Sequence, residues 1–199
     1  MNCRRRGSSL RRMRLRIRDA LLLFLLGAGA ALIGDHSHVI TGTTEYFTKA
    51  VPFVWSSPFW FPLMVGAATV CLAETRLHLP NPRSTVTGRQ ALVGVAAVIG
   101  MYVTTALVRS APVVPSVTLL VALAAITWAA LGDLPAAFCG VVAAVVGPLV
   151  EIVLAEAGVF AYSADCDGLF GVAPWLVPLY FAFGVVAALF GELSAKRAQ

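Results

Sequence analysis

Hydrophobic residues along the chain gather into six long runs separated by short polar breaks, at about Ala20 to Gly34, Phe53 to Ala73, Ala91 to Val108, Val113 to Leu131, Leu134 to Ala155 and Gly171 to Phe190. Roughly 20 apolar residues in helical form cross a hydrocarbon core of about 30 Å, so each run predicts a spanning helix. The first run is short, and Val39 and Ile40 lengthen it only if the helix tilts or distorts across the polar break Asp35-His36-Ser37-His38. Prolines mark expected bends or starts because each removes an amide donor: Pro52, Pro58 and Pro62 around the second run, Pro148 in the fifth, Pro174 and Pro178 in the sixth. The fold class expected is an all-α integral membrane protein of six transmembrane helices.

Composition agrees, since 199 residues that are 59% hydrophobic and 13% charged cannot present an ordinary aqueous surface. The basic residues then set an expected orientation. Eight arginines from Arg4 to Arg18 precede the first run, Arg76, Arg83 and Arg89 follow the second, and Lys196 and Arg197 end the chain, while only Lys49 and Arg109 fall on the other side. Positive charge stays in the cytoplasm during insertion, which puts both termini inside. The organisation expected is a basic cytoplasmic arm over residues 1–18, a six-helix membrane domain over 19–193 and a cytoplasmic tail over 194–199. A cleaved signal peptide is the competing reading of the first run, but no small-residue cleavage site closes it. The arginine arm beside a membrane reads as a contact for anionic headgroups rather than nucleic acid.

Candidate chemistry is sparse. Glu151 stands well inside the fifth run and is read as the acid that matters most, either a proton relay or a hydrogen-bond partner for a ligand or a neighbouring helix. Glu156 lies near the mouth. Asp35, His36 and His38 form a small cluster placed outside the first helix, a weak metal candidate without further ligands. Glu74 and His78 have helical i,i+4 spacing and are read as solvating the inner end of the second span. The runs are taken to hold no buried Arg or Lys. Cys71 and Cys139 fall inside spans and no disulfide framework is expected. None of the HExxH, GxSxG or P-loop patterns occurs, so no enzyme and no cofactor is expected. Ala96 with Gly100, Gly140 with Ala144, and Gly184 with Ala188 have the spacing that lets helices approach closely or oligomerise. The aromatic stretch from Val54 to Pro62, with Phe59 and Trp60, reads as an interfacial belt that also faces lipid.

From Ser56 to Val70 the chain reads SSPFWFPLMVGAATV, Trp128 ends the fourth run shortly before Asp133, Gly158 to Ser163 read GVFAYS, and Trp175-Leu176 open the sixth run. In order and spacing over roughly Phe53 to Leu193 these resemble the Insig family of membrane sterol sensors. The resemblance implies an Insig-like bundle with a lipid-accessible cavity and a non-enzymatic protein that holds a neutral lipid, sterol-like or diacylglycerol. It implies Trp128 beside the lipid pocket, Ser116 or Val117 in the place of a sterol-facing glutamine, Glu151 where a neutral polar residue is usual, and Asp133 as a partner-binding position that also suits a helix N-cap. Animal members hold Scap and hydroxymethylglutaryl-CoA reductase. The arginine- and alanine-rich chain suggests a bacterial inner-membrane homologue, for which those partners are not expected but a homo-oligomer is possible. The alternative is a small intramembrane enzyme or proton-coupled carrier built on Glu151, Glu156 and Tyr162. A third reading is a structural oligomer with lipid filling its gaps.

Overall fold

The computed structural model describes residues 14–47 and 51–197; most of the arginine arm, Lys49 and the last two residues lie outside the described residues. Six helices carry the fold: α1 Ile17–Thr41, α2 Trp60–His78, α3 Gly88–Leu107, α4 Val113–Leu131, α5 Leu134–Glu156 and α6 Leu176–Arg197. Successive helices run antiparallel, so one end of the bundle carries the start of α1 and the end of α6 and the other carries two small sheets. β1 (Thr44–Tyr46) pairs antiparallel with β4 (Phe160–Tyr162), matching Thr44 to Tyr162 and Tyr46 to Phe160. β2 (Phe53–Val54) and β3 (Ser57–Pro58) form a hairpin whose turn holds Trp55 at φ 57°.

Five helices are long and apolar enough to cross a membrane; α2 falls short because Glu74, Arg76 and His78 crowd its last turns. α6 is the central post. In its most apolar stretch 72% of residues are buried, against 22–28% in the other four, so its neighbours rather than lipid form its solvent. The outer helices turn large side chains outward, such as Leu25 on α1, Leu92 on α3, Ile126 on α4 and Val153 on α5. In water such a surface would aggregate; in a bilayer it is the required one.

Three boundaries differ from the sequence expectation. α1 does not stop at Gly34 but continues to Thr41, where Gly42 ends it in the left-handed conformation, φ 71°. Asp35 and His38 therefore lie inside the helix, three apart on its buried face with Leu23, Gly27 and Ala31. At 25 residues α1 is about 37 Å long, enough to overrun the apolar core. α2 begins at Trp60 rather than Phe53, because Pro58 holds Ser57 extended and favours the hairpin over helix. α6 begins at Leu176, after Pro174, rather than at Gly171.

Close helix packing relies on glycine at particular crossings. A methyl group at Gly184 would strike the backbone of Cys139 and Gly140 on α5, and one at Gly191 would strike the carbonyl of Ala73 on α2. One at Gly140 would meet Phe181, while Gly100 faces open space and lies on the exposed side of α3 with Ala96. Dispersion across these contacts replaces the hydrophobic effect that lipid cannot supply between helices.

Candidate functional site: an intramembrane cleft beneath a polar chamber

Two regions concentrate polar groups, one at each end of the bundle. At the end with the sheets, α1, α2, α3, α5 and α6 leave a narrow cleft of about 50 Å³. Gly27, Ala30 and Ala31 make its α1 wall, and their small size leaves the gap; Val98 and Ile99 face it from α3, Leu179 and Phe183 from α6. Its polar lining residues are Tyr102, Glu151 and Tyr180, and no cationic side chain lines it. A second apolar groove of about 270 Å³ runs between α2 and α5 over α6 and shares Val65, Tyr180 and Phe183 with the cleft.

Tyr102 and Glu151 also belong to a smaller, nearly filled polar chamber of about 10 Å³ beneath the β1–β4 pair. Glu151 is buried there and accepts hydrogen bonds from Tyr162 Oη at 2.7 Å and Tyr180 Oη at 2.5 Å. The carboxylate of Asp35, also buried, accepts from Tyr46 Oη at 3.0 Å and Ser57 Oγ at 2.5 Å. The β1–β4 register is what aligns this arrangement: Tyr46 reaches α1 and Tyr162 reaches α5 from adjacent strands. Burial, reinforced by the neighbouring carboxylates, pushes the hydroxyls of Tyr46 and Tyr162 well above the usual tyrosine range, so both remain protonated donors. His38 fixes the α1–α3 contact. Thr105 gives its single proton to Tyr102 O at 2.5 Å, so it accepts from His38 Nε2 at 2.8 Å, which assigns the imidazole proton to Nε2.

The other end is closed by a buried ionic clasp. Arg76 is fully buried at the end of α2, and its guanidinium donates to Asp133 Oδ2 at 2.8 Å, Glu192 Oε1 at 2.5 Å and the carbonyls of Pro80 and Asn81. Arg83 clamps Glu192 from the α2–α3 connection, with Nη2 at 2.7 Å from Oε2, and also donates to Leu131 O. Asp133 caps α5 by accepting from Ala136 N at 2.8 Å, with Pro135 in the first turn. Arg76 and Glu192 lie just beyond the second and sixth apolar runs, which end at Ala73 and Phe190. Two arginines and two carboxylates balance in charge, which is what makes their burial tolerable.

The sequence-derived residues divide between these regions. Glu151 and Trp60 both line the polar chamber, where Trp60 stands edge-on to Tyr46 at 6.5 Å. Val117 packs on the aromatic core beside the chamber, and Ser116 is buried at the start of α4 with its hydroxyl on Pro112 O. Phe59 is 40% exposed at the head of α2, as an interfacial side chain would be. Trp128 lies at the clasp end, where its indole N–H donates to Asp133 O at 3.0 Å, and it is not among the residues lining the cleft. His36 and His38 face different partners, Ser56 and Thr105, and among the described residues no three His, Cys, Asp or Glu side chains converge for a metal. Glu156 is exposed at the end of α5. Sequence reasoning missed Tyr46, Tyr102 and Tyr180 as site residues, and placed Asp35 and His38 outside the first helix as a metal candidate rather than within it. The available signal was the spacing of Ala31, Gly34, Asp35 and His38, which continues the buried face of α1 through the polar break.

No family profile matches the chain. It is 72% identical over 185 residues to the INSIG protein homolog of Mycolicibacterium vanbaalenii, covering 93% of this chain and 91% of that one. The crystal structure of a mycobacterial Insig homolog from Mycobacterium vanbaalenii superposes with a TM-score of 0.93 at 72% identity, covering 94% of this chain and 99% of the other. A second crystal structure, of a cross-linked trimer of a cysteine variant of that protein, gives the same TM-score at 70% identity and the same coverage. Six helices in the same arrangement and near three-quarters identity along almost the whole length establish that the chain is an integral membrane protein of the Insig family.

Proposed function

We propose that the chain binds a neutral lipid in the cleft at the α1–α3–α6 contact and acts as a non-enzymatic lipid-binding protein of the inner membrane, with both termini in the cytoplasm. The observation that carries this is the lining of the cleft: apolar side chains along its length, a carboxyl group and tyrosines at one end, and no Arg or Lys. A phosphate buried there without a cation would cost far more than its tails return. The two basic side chains of the clasp are already committed to Asp133 and Glu192 at the other end. Val65, Tyr180 and Phe183 line both the cleft and the α2–α5 groove, so a lipid with two flexible acyl chains can follow both as these side chains shift, which a rigid ring system cannot. Diacylglycerol therefore fits this geometry better than a sterol. Asp133 would influence any partner through the clasp, because both its oxygens serve internal bonds. Assembly into a homo-oligomer is part of the proposal and is supported by the cross-linked trimer of the relative; Scap and the reductase are not expected partners in a bacterium.

Native mass spectrometry of protein extracted in mild detergent should show a co-purified neutral lipid. Protein that carries only phospholipid, or none, would overturn the proposal. Glu151→Gln should retain the lipid and the fold, because the amide oxygen still accepts a hydrogen bond. Loss of lipid from a folded Glu151→Gln protein would instead favour the proton-coupled alternative.

A further inference from the structure

Three tyrosines share the surroundings of Glu151, and their protons are not equally committed. Tyr162 and Tyr180 each give their only proton to the carboxylate, one to each oxygen. Tyr102 makes no side-chain hydrogen bond among the described residues, although it lines both the apolar cleft and the polar chamber. Its ring is held in place: it lies flat against Gly34, where a methyl group would overlap it, and stands edge-on to His38 at 4.8 Å. Glu151 lines both spaces with it, and Asp35 lines the chamber. A carboxylate offers about four lone-pair sites and the protein uses two of those on Glu151, so acceptor capacity remains beside an unspent donor.

We infer that Tyr102 and Glu151 form a recognition pair for a lipid alcohol, in which one free hydroxyl of the ligand accepts from Tyr102 Oη and donates to the Glu151 carboxylate. This rests on the lipid-binding reading above and adds which functional group is read. A hydroxyl is the smallest group that is donor and acceptor at one atom. Esters, ethers and ketones satisfy Tyr102 but leave Glu151 without a donor, and hydrocarbons satisfy neither. The pair is preorganised, since the ring of Tyr102 is wedged and Glu151 is clamped by two tyrosines, so little ordering is lost on binding. Triacylglycerols and wax esters are excluded, and lipids with an unmodified hydroxyl are selected.

The test loads delipidated protein in mild detergent with dioleoylglycerol or its O-methyl ether and reads occupancy by native mass spectrometry. Wild type should prefer the alcohol by roughly tenfold or more, the effect of one hydrogen bond to a charged acceptor. Tyr102→Phe should keep the wild-type melting temperature, because the hydroxyl has no partner among the described residues, yet bind the alcohol several-fold more weakly. Equal uptake of alcohol and ether by wild type overturns hydroxyl recognition and leaves the lipid-binding reading standing. Uptake of neither overturns both. Wild-type alcohol binding by Tyr102→Phe, or a large drop in its melting temperature, removes Tyr102 from the ligand.

Discussion

Removing the Glu192 carboxylate is the sharpest test of what holds the bundle closed at its terminal end. Glu192 is completely buried and takes bonds from Arg76 and from Arg83. In Glu192→Ala the clasp keeps two guanidinium groups against the one carboxylate of Asp133, and Arg76 has no route to water. Breaking a buried pair on one side typically costs about 3–5 kcal/mol. Arg76 retains Asp133 and two backbone carbonyls, so the lower end, about 3 kcal/mol, is expected. In a chain of this length that corresponds to a fall in melting temperature of roughly 6–12 °C. Glu192→Gln should lose most of the same amount, since it keeps the volume and removes the charge. Adding Arg83→Ala to Glu192→Ala restores a balanced Arg76–Asp133 pair, so the double variant should lose clearly less than the sum of the two single losses. Tryptophan fluorescence during thermal unfolding in one detergent reads all five proteins, wild type and Arg83→Ala included. A Glu192→Ala shift under about 2 °C, which on this scale is less than about 1 kcal/mol, or strict additivity in the double variant would refute the clasp as an electrostatic unit.

Other outcomes follow from the same geometry. Gly184→Ala should cost about 1–3 kcal/mol, because its methyl meets backbone on α5 that cannot turn aside, whereas Gly100→Ala, facing open space, should be neutral or slightly stabilising; equal effects in thermal melts would contradict the packing. Tyr46 and Tyr162 have folded pKa values raised above the unfolded value of about 10, so their contribution is complete below that pH and is lost as pH rises beyond it. Stability should therefore fall above about pH 10, with tyrosinate absorbance from these residues appearing only on unfolding; their titration near pH 10 in folded protein would speak against their burial. A membrane-impermeant thiol reagent should label Glu45→Cys in intact cells and Ser84→Cys only after permeabilisation, and the opposite pattern would reverse the proposed orientation.

Much was settled by sequence alone because a bilayer imposes one strong rule. Every backbone amide in the hydrocarbon must be paired within its own segment, so apolar runs of the right length predict helices, and α3, α4 and α5 begin and end within a few residues of where those runs do. Local chemistry was legible too: Asp133 followed by Leu134 and Pro135 announces the cap of α5, and the order of Trp128, Asp133 and Trp175 carried the family resemblance. Boundaries at α1, α2 and α6 were less legible, since polar residues such as Asp35 and His38 look like a loop until a partner for each is known. Tertiary structure supplied those partners. Asp35 is acceptable inside a helix only because Tyr46 and Ser57, distant in sequence, donate to it, and Arg76 can be buried only because Glu192 and Asp133 converge on it from α6 and the head of α5. Hydropathy registers what each residue would cost alone in lipid; whether that cost is offset depends on which side chains the fold brings within about 3 Å, and no local pattern in one sequence encodes that distance.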